Sequence, residues 1–410
     1  MDNYAFPRAL FPSSEQIHYW SSLGSWDPFL QTLRSRAASH SLVFAPLDKE
    51  LERFVRPLCL WDNDISYSVE KKSFEYRAAQ QHAFHDLGNG AWLADYTSMP
   101  MRPDGLSFVC EQLFLRPFSI AHYGLATFTR FRVLYVPPGV TVQDSVKISS
   151  QHTSSDYGAD VICIIVGADA RIALDCSTAV ERGSATQVIL GSCGERASVS
   201  IVAQSTYGSS ALGLNHELWY TAPGSSLESV GCLSGGTQVW SKKDYMVGEA
   251  ASVSHISLSA LQGAEQEVLI TSQVHTGKQS VSSVSAKAVL CDASRSFYRG
   301  TIILEEAAQH AQARQQQRAL MLSTQARMCA LPSLEVAAHT VQCSHGSAAG
   351  GFSDDQVQYL RARGISRDSA HDLLIEGFLR EGAVGPGDSL KQIAQYLKGR
   401  CHTTLYSTSL

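Results

Sequence analysis

Residues 106–340 read as a succession of short apolar or alternating runs, each closed by Gly, Pro or Asp. Val133-Leu134-Tyr135-Val136 stops at Pro137-Pro138-Gly139, and Ile162-Cys163-Ile164-Ile165-Val166 stops at Gly167-Ala168-Asp169. Leu218-Trp219-Tyr220 runs into Ala222-Pro223-Gly224, and Ala288-Val289-Leu290 into Cys291-Asp292-Ala293. A new alternating run starts after each turn, as in Ala170-Arg171-Ile172-Ala173-Leu174 and Ala251-Ser252-Val253-Ser254-His255-Ile256-Ser257-Leu258. Alternation puts successive side chains on opposite faces of a strand, and a fully apolar run fits a strand buried on both. Two strands hinged by a tight turn, recurring every roughly 20 to 30 residues, form the pattern of a strand solenoid. Small residues at the corners let coils stack closely. A sandwich of many short strands gives nearly the same pattern, because the period is not strict.

The flanks follow other rules. Before about residue 105 the early aromatics dominate, and Ser13-Ser14-Glu15-Gln16 ahead of Ile17 and Trp20 reads as a capped helix start continued by Phe29, Leu30 and Leu33. Phe74 to Gln80 predicts another helix, so this part reads as a helical cap with loops. At the other end Ser353-Asp354-Asp355-Gln356 matches a capping box with acidic residues in the first turn. Val357, Tyr359 and Leu360 follow, with Gly364 at the position after the helix. Ser366 caps a second helix through Leu373, Leu374, Ile375 and Phe378 to Gly382. A turn at Gly385-Pro386-Gly387-Asp388 leads to a second capping box at Ser389-Leu390-Lys391-Gln392 and a helix ending near Gly399. Leu373, Leu374 and Phe378 suit one apolar face, which either closes the end of the solenoid or meets a partner. The division is thus 1–105, 106–350 and 351–410.

Composition narrows the classes. Charged residues are 17% of the 410, and the net charge of -5 includes no block of one sign, so neither a polyanion-binding surface nor a nucleic-acid partner is expected. Met1-Asp2-Asn3-Tyr4-Ala5-Phe6-Pro7-Arg8 has no basic segment followed by an apolar run, and no stretch approaches the roughly 20 apolar residues of a membrane helix. A soluble cytoplasmic protein without a membrane partner is the expectation. The ten cysteines are scattered with no Cys-x-x-Cys pair, which argues against a disulfide framework or a closed zinc ribbon. Most, Cys163 above all, read as small buried hydrophobes.

Few residues promise chemistry. There is no Gly-x-x-x-x-Gly-Lys-Ser/Thr loop; Gly191-Ser192-Cys193-Gly194 reads as a turn between strands, so the chain is not expected to hydrolyse ATP. No Gly-x-Ser-x-Gly elbow supports a serine hydrolase. His82 and His85 would share a helix face but lack a third ligand. His275 and Cys291 read as core residues of the strand region. Cys343-Ser344-His345-Gly346 differs from these. Residues two apart on a strand face the same way, and Cys and His are both suited to iron, zinc or a cluster. Two ligands do not complete a site; the rest would come from elsewhere in the chain or a second subunit.

These same residues resemble a known family. Cys343-Ser344-His345-Gly346, Tyr359-Leu360-Arg361-Ala362-Arg363-Gly364-Ile365, Ala370, Leu373-Leu374-Ile375 and Gly377-Phe378 are similar to the C-terminal signature of the SufB/SufD family of iron–sulfur cluster assembly proteins. Upstream, Tyr298-Arg299-Gly300-Thr301-Ile302 resembles the family's aromatic-x-Gly-x-Ile strand. Val274-His275, Ser283, Lys287, Gln317, Leu320, Leu322-Ser323, Ala326-Arg327, Pro332 and Leu334-Glu335 resemble its neighbouring segments. Roughly residues 265–380 carry the likeness, and the first 100 residues depart from it. Leu360 stands after Tyr359 where SufB-type proteins carry a cysteine, and Cys-Ser-His-Gly is intact, so the chain looks like the SufD branch.

The resemblance implies a mainly β fold, a right-handed parallel β-helix between helical N- and C-terminal domains. It implies a non-catalytic scaffold pairing with a SufB-like subunit through its last coils and docking a SufC-like ABC-type ATPase through helices of about 354–398. Tyr359, Leu360, Arg363, Leu373, Leu374 and Phe378 would be the partner-binding residues. Cys343 and His345 would hold a transient Fe–S cluster at the subunit interface, with His345 the stronger candidate; a homodimer is an alternative assembly. Outside this family, a β-solenoid carbohydrate-active enzyme would need paired carboxylates, a groove and usually export. A plain protein-interaction solenoid would need no metal ligand.

Overall fold

The computed structural model describes residues 31–33, 35–37, 84–114, 120–153, 157–381 and 393–401. Its body is a parallel β-solenoid of about eight turns with helices at both ends. Each coil contributes one strand to each of two sheets. Among the described residues the ten-stranded sheet runs β1-β2-β3-β5-β7-β9-β11-β13-β15-β17 and the eight-stranded sheet β18-β16-β14-β12-β10-β8-β6-β4. The first coil is β3 (Arg130–Val136) and β4 (Val146–His152). β5 (Tyr157–Val166) and β6 (Arg171–Val180) form the second, β7 (Ser184–Cys193) and β8 (Ser198–Tyr207) the third. β9 (Leu212–Thr221), β10 (Ser226–Gly235), β11 (Gln238–Val247) and β12 (Ser252–Leu261) follow. Then come β13 (Gln266–His275), β14 (Val281–Leu290), β15 (Arg295–Leu304) and β16 (Gln312–Met321). β17 (Arg327–Val336) and β18 (Gln342–Gly350) close the series. Register is in step throughout, as in Ile162↔Ile189, Ile189↔Glu217 and Glu217↔Lys243. The solenoid reading of the turn-closed runs therefore holds, and the sandwich alternative does not.

One corner fixes this register. Gly139, Asp169, Arg196, Gly224, Ala250, Gln279 and His310 all have positive φ, between 52° and 74°. Their N–H groups donate to carbonyls of the next coil, for example Asp169 to Glu195, Arg196 to Pro223 and Ala250 to Lys278. Left-handed backbone costs a non-glycine residue about 1–2 kcal/mol. The inter-coil bond and, at Asp169 and Arg196, an exposed ion pair at 2.7 Å accompany that conformation. The expected turn at Gly191-Ser192-Cys193-Gly194 is corrected here: the first three residues end β7, and only Gly194 opens the corner. Gly191 is glycine because a Cβ would collide with the Trp219 indole in the next coil.

Helices cover the outer face of the ten-stranded sheet at its start. α1 (Asp104–Phe114) and α2 (Ile120–Thr127) bury Leu106, Val109, Cys110, Leu113, Leu125 and Ala126 on Val161, Cys163, Val188 and Leu190. Leu33 and Ala37, in the helical residues 31–33 and 35–37, join the same cluster. β5 is thus buried on both faces, which explains its unbroken apolar run. The antiparallel hairpin β1 (Phe84–Gly88) and β2 (Ala91–Asp95) extends the sheet beyond β3. Its two-residue turn, Asn89-Gly90, has positive φ at both positions, as hairpin twist requires. This hairpin sits in the stretch read from sequence as a helical cap. The helices expected from Ser13 and over Phe74–Gln80, and the turn and capping box at 385–392, lie outside the described residues.

The eight-stranded sheet is covered from the other end of the chain. α3 (Asp354–Ala362), α4 (Arg367–Arg380) and the helical residues 393–401 lead back onto its outer face. Ile375, Leu379, Ile393, Ala394, Leu397 and Cys401 pack on Val202, Val230, Cys232, Ile256, Leu258, Val289 and Leu320. The described parts of the C-terminal helices therefore cover the side of the solenoid, and among the described residues none covers its last coil. Among the described residues no helix is long and apolar enough to cross a membrane.

Candidate functional site

β17 and β18 form the last coil, each hydrogen-bonded to one neighbour, β15 and β16. Among the described residues no coil lies above them, so side chains that would point into the core meet solvent. No residue of β17 or β18 is fully buried, whereas nine of the ten in β5 are. Leu334 and Val336 are among the exposed large hydrophobics. An apolar edge with free backbone donors and acceptors is a template for another strand.

Register settles which β18 side chains face this mouth. Cys343 stacks on Ala313, His345 on Gln315 and Ser347 on Gln317. The three lower residues are buried members of an alternating strand, so the upper three point inward on the same face. Ser347 Oγ donates to Gln317 Oε1 at 2.8 Å. Cys343 is half-buried against Ile302, Leu304, Ala311 and Ala313, and it lines a cleft of about 380 Å³ with Ser282, Gln312 and Arg314. His345 is exposed. The same-face geometry expected of Cys343 and His345 is thus present. Among the described residues no three His, Cys, Asp or Glu side chains converge on one point, so the pair offers two donors and not a closed site.

The other histidines and cysteines separate from this pair. His85 is exposed in β1 and not on a helix, because Asn89-Gly90 folds its segment into a hairpin; His82 lies outside the described residues. His275 is buried with both ring nitrogens partnered, Nδ1 to Ser280 Oγ at 2.7 Å and Nε2 to Ser282 Oγ at 2.6 Å. Burial pushes its pKa down to about 4. Cys163 and Cys291 are buried, and the nine described cysteines carry no disulfide. Burial drives the Cys163 thiol well above the ordinary thiol range, as expected of an inert core residue.

Sequence reasoning missed what lies inside the later coils. Lys243 Nζ pairs with Glu217 within the solenoid, both buried. His255 Nδ1 meets Ser229 Oγ at 3.0 Å, and burial together with the nearby Lys243 charge keeps the ring neutral. Thr271 and Tyr298 hydroxyls lie 2.9 Å apart, and Ser282 donates to Gln273 Oε1 at 2.7 Å. On the outer face of the same strands, His216 Nδ1 accepts from the Ala121 N–H and its Nε2 meets Asp244 at 2.9 Å, pinning the start of α2. Burial alone would raise the Asp244 pKa; Lys242 and His216 outweigh it and hold the carboxyl well below its usual range. The one sequence signal was the polar run Ser241-Lys242-Lys243-Asp244 inside a strand-length window.

The C-terminal helices form a polar-capped handle. Ser353 and Gln356 make the expected capping box, Ser366 caps α4, and Gly364 has φ 85°. α3 buries nothing: Tyr359 is 57% exposed, with the Arg363 guanidinium 4.3 Å from its ring centroid, and Leu360 is half-buried. On α4 the residues against the sheet are Ala370, Ile375 and Leu379. Leu373 is exposed and Leu374 half-buried, while the half-buried Phe378 packs on the same cluster, so only part of the expected Leu373–Leu374–Phe378 face meets the sheet. Lys287 Nζ donates to the Phe378 carbonyl at 2.6 Å and to that of Glu381, under the Phe378 ring, where burial lowers its pKa to about 8.

Residues 148–378 match the family described as SUF system FeS cluster assembly, SufBD core domain. That is more than half of the 410 residues. The chain belongs to the SufB/SufD family. Relatives include an iron-sulfur cluster assembly SufBD family protein of Synechocystis, 36% identical over 23% of this chain and 21% of that protein. The SufD proteins of Bacillus subtilis and Escherichia coli are 35% and 32% identical over 29% and 23% of this chain, and 27% and 22% of their own lengths. The aligned stretches span about a quarter of these relatives. Within the family the chain is SufD-like. The family match spans β4 to α4 and takes in Cys343, His345 and the Tyr359–Phe378 segment.

Proposed function

We propose that the chain is a scaffold subunit of iron–sulfur cluster assembly that acts by holding and orienting, without catalysis of its own. The observation that carries this reading is the Cys343–His345 pair facing out of the mouth of an open last coil in a SufB/SufD-family chain. A neutral imidazole and a thiolate are iron ligands. A pair of donors at an unpaired strand edge suits a site completed by the subunit that docks there. In this reading β17 and β18 meet a SufB-like subunit by strand addition, with Leu334 and Val336 buried in the junction. The cluster is cargo, built on His345 and Cys343 with further ligands from the partner. The helical handle, with Tyr359, Leu360, Arg363, Leu373, Leu374 and Phe378, takes a SufC-like ABC-type ATPase. The chain would do this work in the cytoplasm.

The test is co-expression with SufB-like and SufC-like partners and purification without oxygen. The expected result is a complex with iron and sulfide, and a His345→Ala complex that assembles but holds several-fold less of both. Failure of the chain to co-purify with either partner overturns the scaffold reading. A complex whose His345→Ala form keeps its iron and sulfide removes the ligand assignment and leaves the scaffold.

A further inference from the structure

The Tyr298-Arg299-Gly300-Thr301-Ile302 strand resembles a family segment, yet none of these residues lies in the last coil. Their place in β15 gives Gly300 a local task. A Cβ on Gly300 would collide with Gln315 Nε2 and crowd the Tyr298 hydroxyl. Gln315, in β16, therefore lays its amide across the interior onto the bare backbone of the opposite sheet. The side chain is 1% exposed. Its oxygen accepts a long, 3.5 Å hydrogen bond from Gln273 Nε2, one coil further from the mouth. The nitrogen, on the other arm of the planar amide, is thereby turned from Gln273. It is buried without a hydrogen-bond partner among the described residues. His345 is the residue stacked on Gln315 in the next and last coil, about 4.8 Å along the solenoid. The neighbouring glutamine, Gln317, accepts a hydrogen bond from its own stacked residue, Ser347.

We propose that Gln315 is a further residue of the site at the mouth, whose amide N–H donates to the group held by His345. The proposal rests on the reading that this group is iron with sulfide. An unpaired buried donor costs about 1–3 kcal/mol unless something accepts from it. Sulfide or thiolate bound to iron is such an acceptor, and hydrogen bonds to cluster sulfur tune its stability. Gly300 clears the space the amide occupies, and Gln273 sets its orientation. Gln315 is a positioning and stabilising residue and binds no iron.

The complex with both partners, loaded anaerobically with ferrous iron and sulfide, tests this. Gln315→Met keeps the side-chain length and removes the donor. The variant is expected to load as much iron as the wild type, to lose it to a chelator about tenfold faster, and to shift the visible absorption of the cluster. Gln316→Met, on the outer face of the same strand, is expected to change neither. Thermal unfolding of the iron-free chain separates a structural role: Gln315→Met removes a costly unpaired donor together with the acceptor of one long bond from Gln273, so the midpoint is expected to hold or rise, whereas loss of a stabilising network lowers it. A loaded Gln315→Met complex with wild-type chelation rate and spectrum overturns the proposal alone, as does a lowered iron-free midpoint with no spectral change. A wild-type complex that takes up no iron overturns the underlying reading and the proposal with it.

Discussion

Inside the solenoid one column of stacked side chains reads Arg132, Ile162, Ile189, Glu217, Lys243, Thr271, Gly300, Pro332 from the first parallel strand to the last. At Ile162 and Ile189 the early coils hold hydrocarbon, with Ile164 and Val166 beside Ile162 and Ile172 and Leu174 facing them, and a buried ion pair, Arg132 with Asp160 at 3.5 Å, sits at the first strands. The later coils hold an ion pair, hydroxyls, amides and bare backbone. Burying an aliphatic side chain contributes about 1.5–3 kcal/mol whatever its neighbours do in detail. A buried ion pair contributes little net stability, but loss of either member strands a charge. The coils around Ile162 and Ile189 thus rely more on apolar burial, and the coils nearer the mouth more on a defined polar arrangement.

The largest blow to this contrast should come from Lys243→Met. It leaves Glu217 charged and buried and is expected to cost about 3–5 kcal/mol in denaturant unfolding. Glu217→Leu added to it should restore most of that loss. A double variant as unstable as the single one would mean that the later interior is a load-carrying core like the early one. Ile189→Ala, in the hydrocarbon coils, is expected to cost about 3 kcal/mol by the same measurement, with no single second substitution that rescues it.

His275→Asn should cost stability at neutral pH, where both ring hydrogen bonds are lost, and cost less in acid. The His275 ring is held neutral down to about pH 4, whereas an unfolded histidine takes its proton near 6.5. Between those values the unfolded chain binds the extra proton, so stability falls as pH drops through that window. Asparagine should flatten this loss, seen as denaturation midpoints that differ less between neutral pH and about pH 5; an unchanged slope would assign the acid sensitivity elsewhere. Smallest is Ser353→Ala, expected to cost about 1 kcal/mol. Because α3 buries nothing, hydrogen exchange in its first turn should speed up while global unfolding stays put.

How much of this was written in the sequence differs by residue. The turn-closed runs gave the solenoid because backbone pairing is periodic. The Ser353–Gln356 box and Gly364 gave the helical handle because capping is local chemistry. Cys343 and His345 could be put on one face from their spacing of two alone. The open coil around them could not, since it depends on no further strand stacking there. Asn89-Gly90 was a legible hairpin signal lost among early aromatics. Lys243 and Gln315 gave no sign of facing inward: Lys242-Lys243-Asp244 reads as a solvated run until stacking sends Lys243 into the interior and Asp244 under α2.

The bare edge of β17 and β18 also bears on supply. A strand edge pairs with whatever strand meets it first, including that of an identical chain. Each chain whose edge is left uncovered is therefore a starting point for clumping, so the concentration of uncovered chain sets how long the protein stays dispersed.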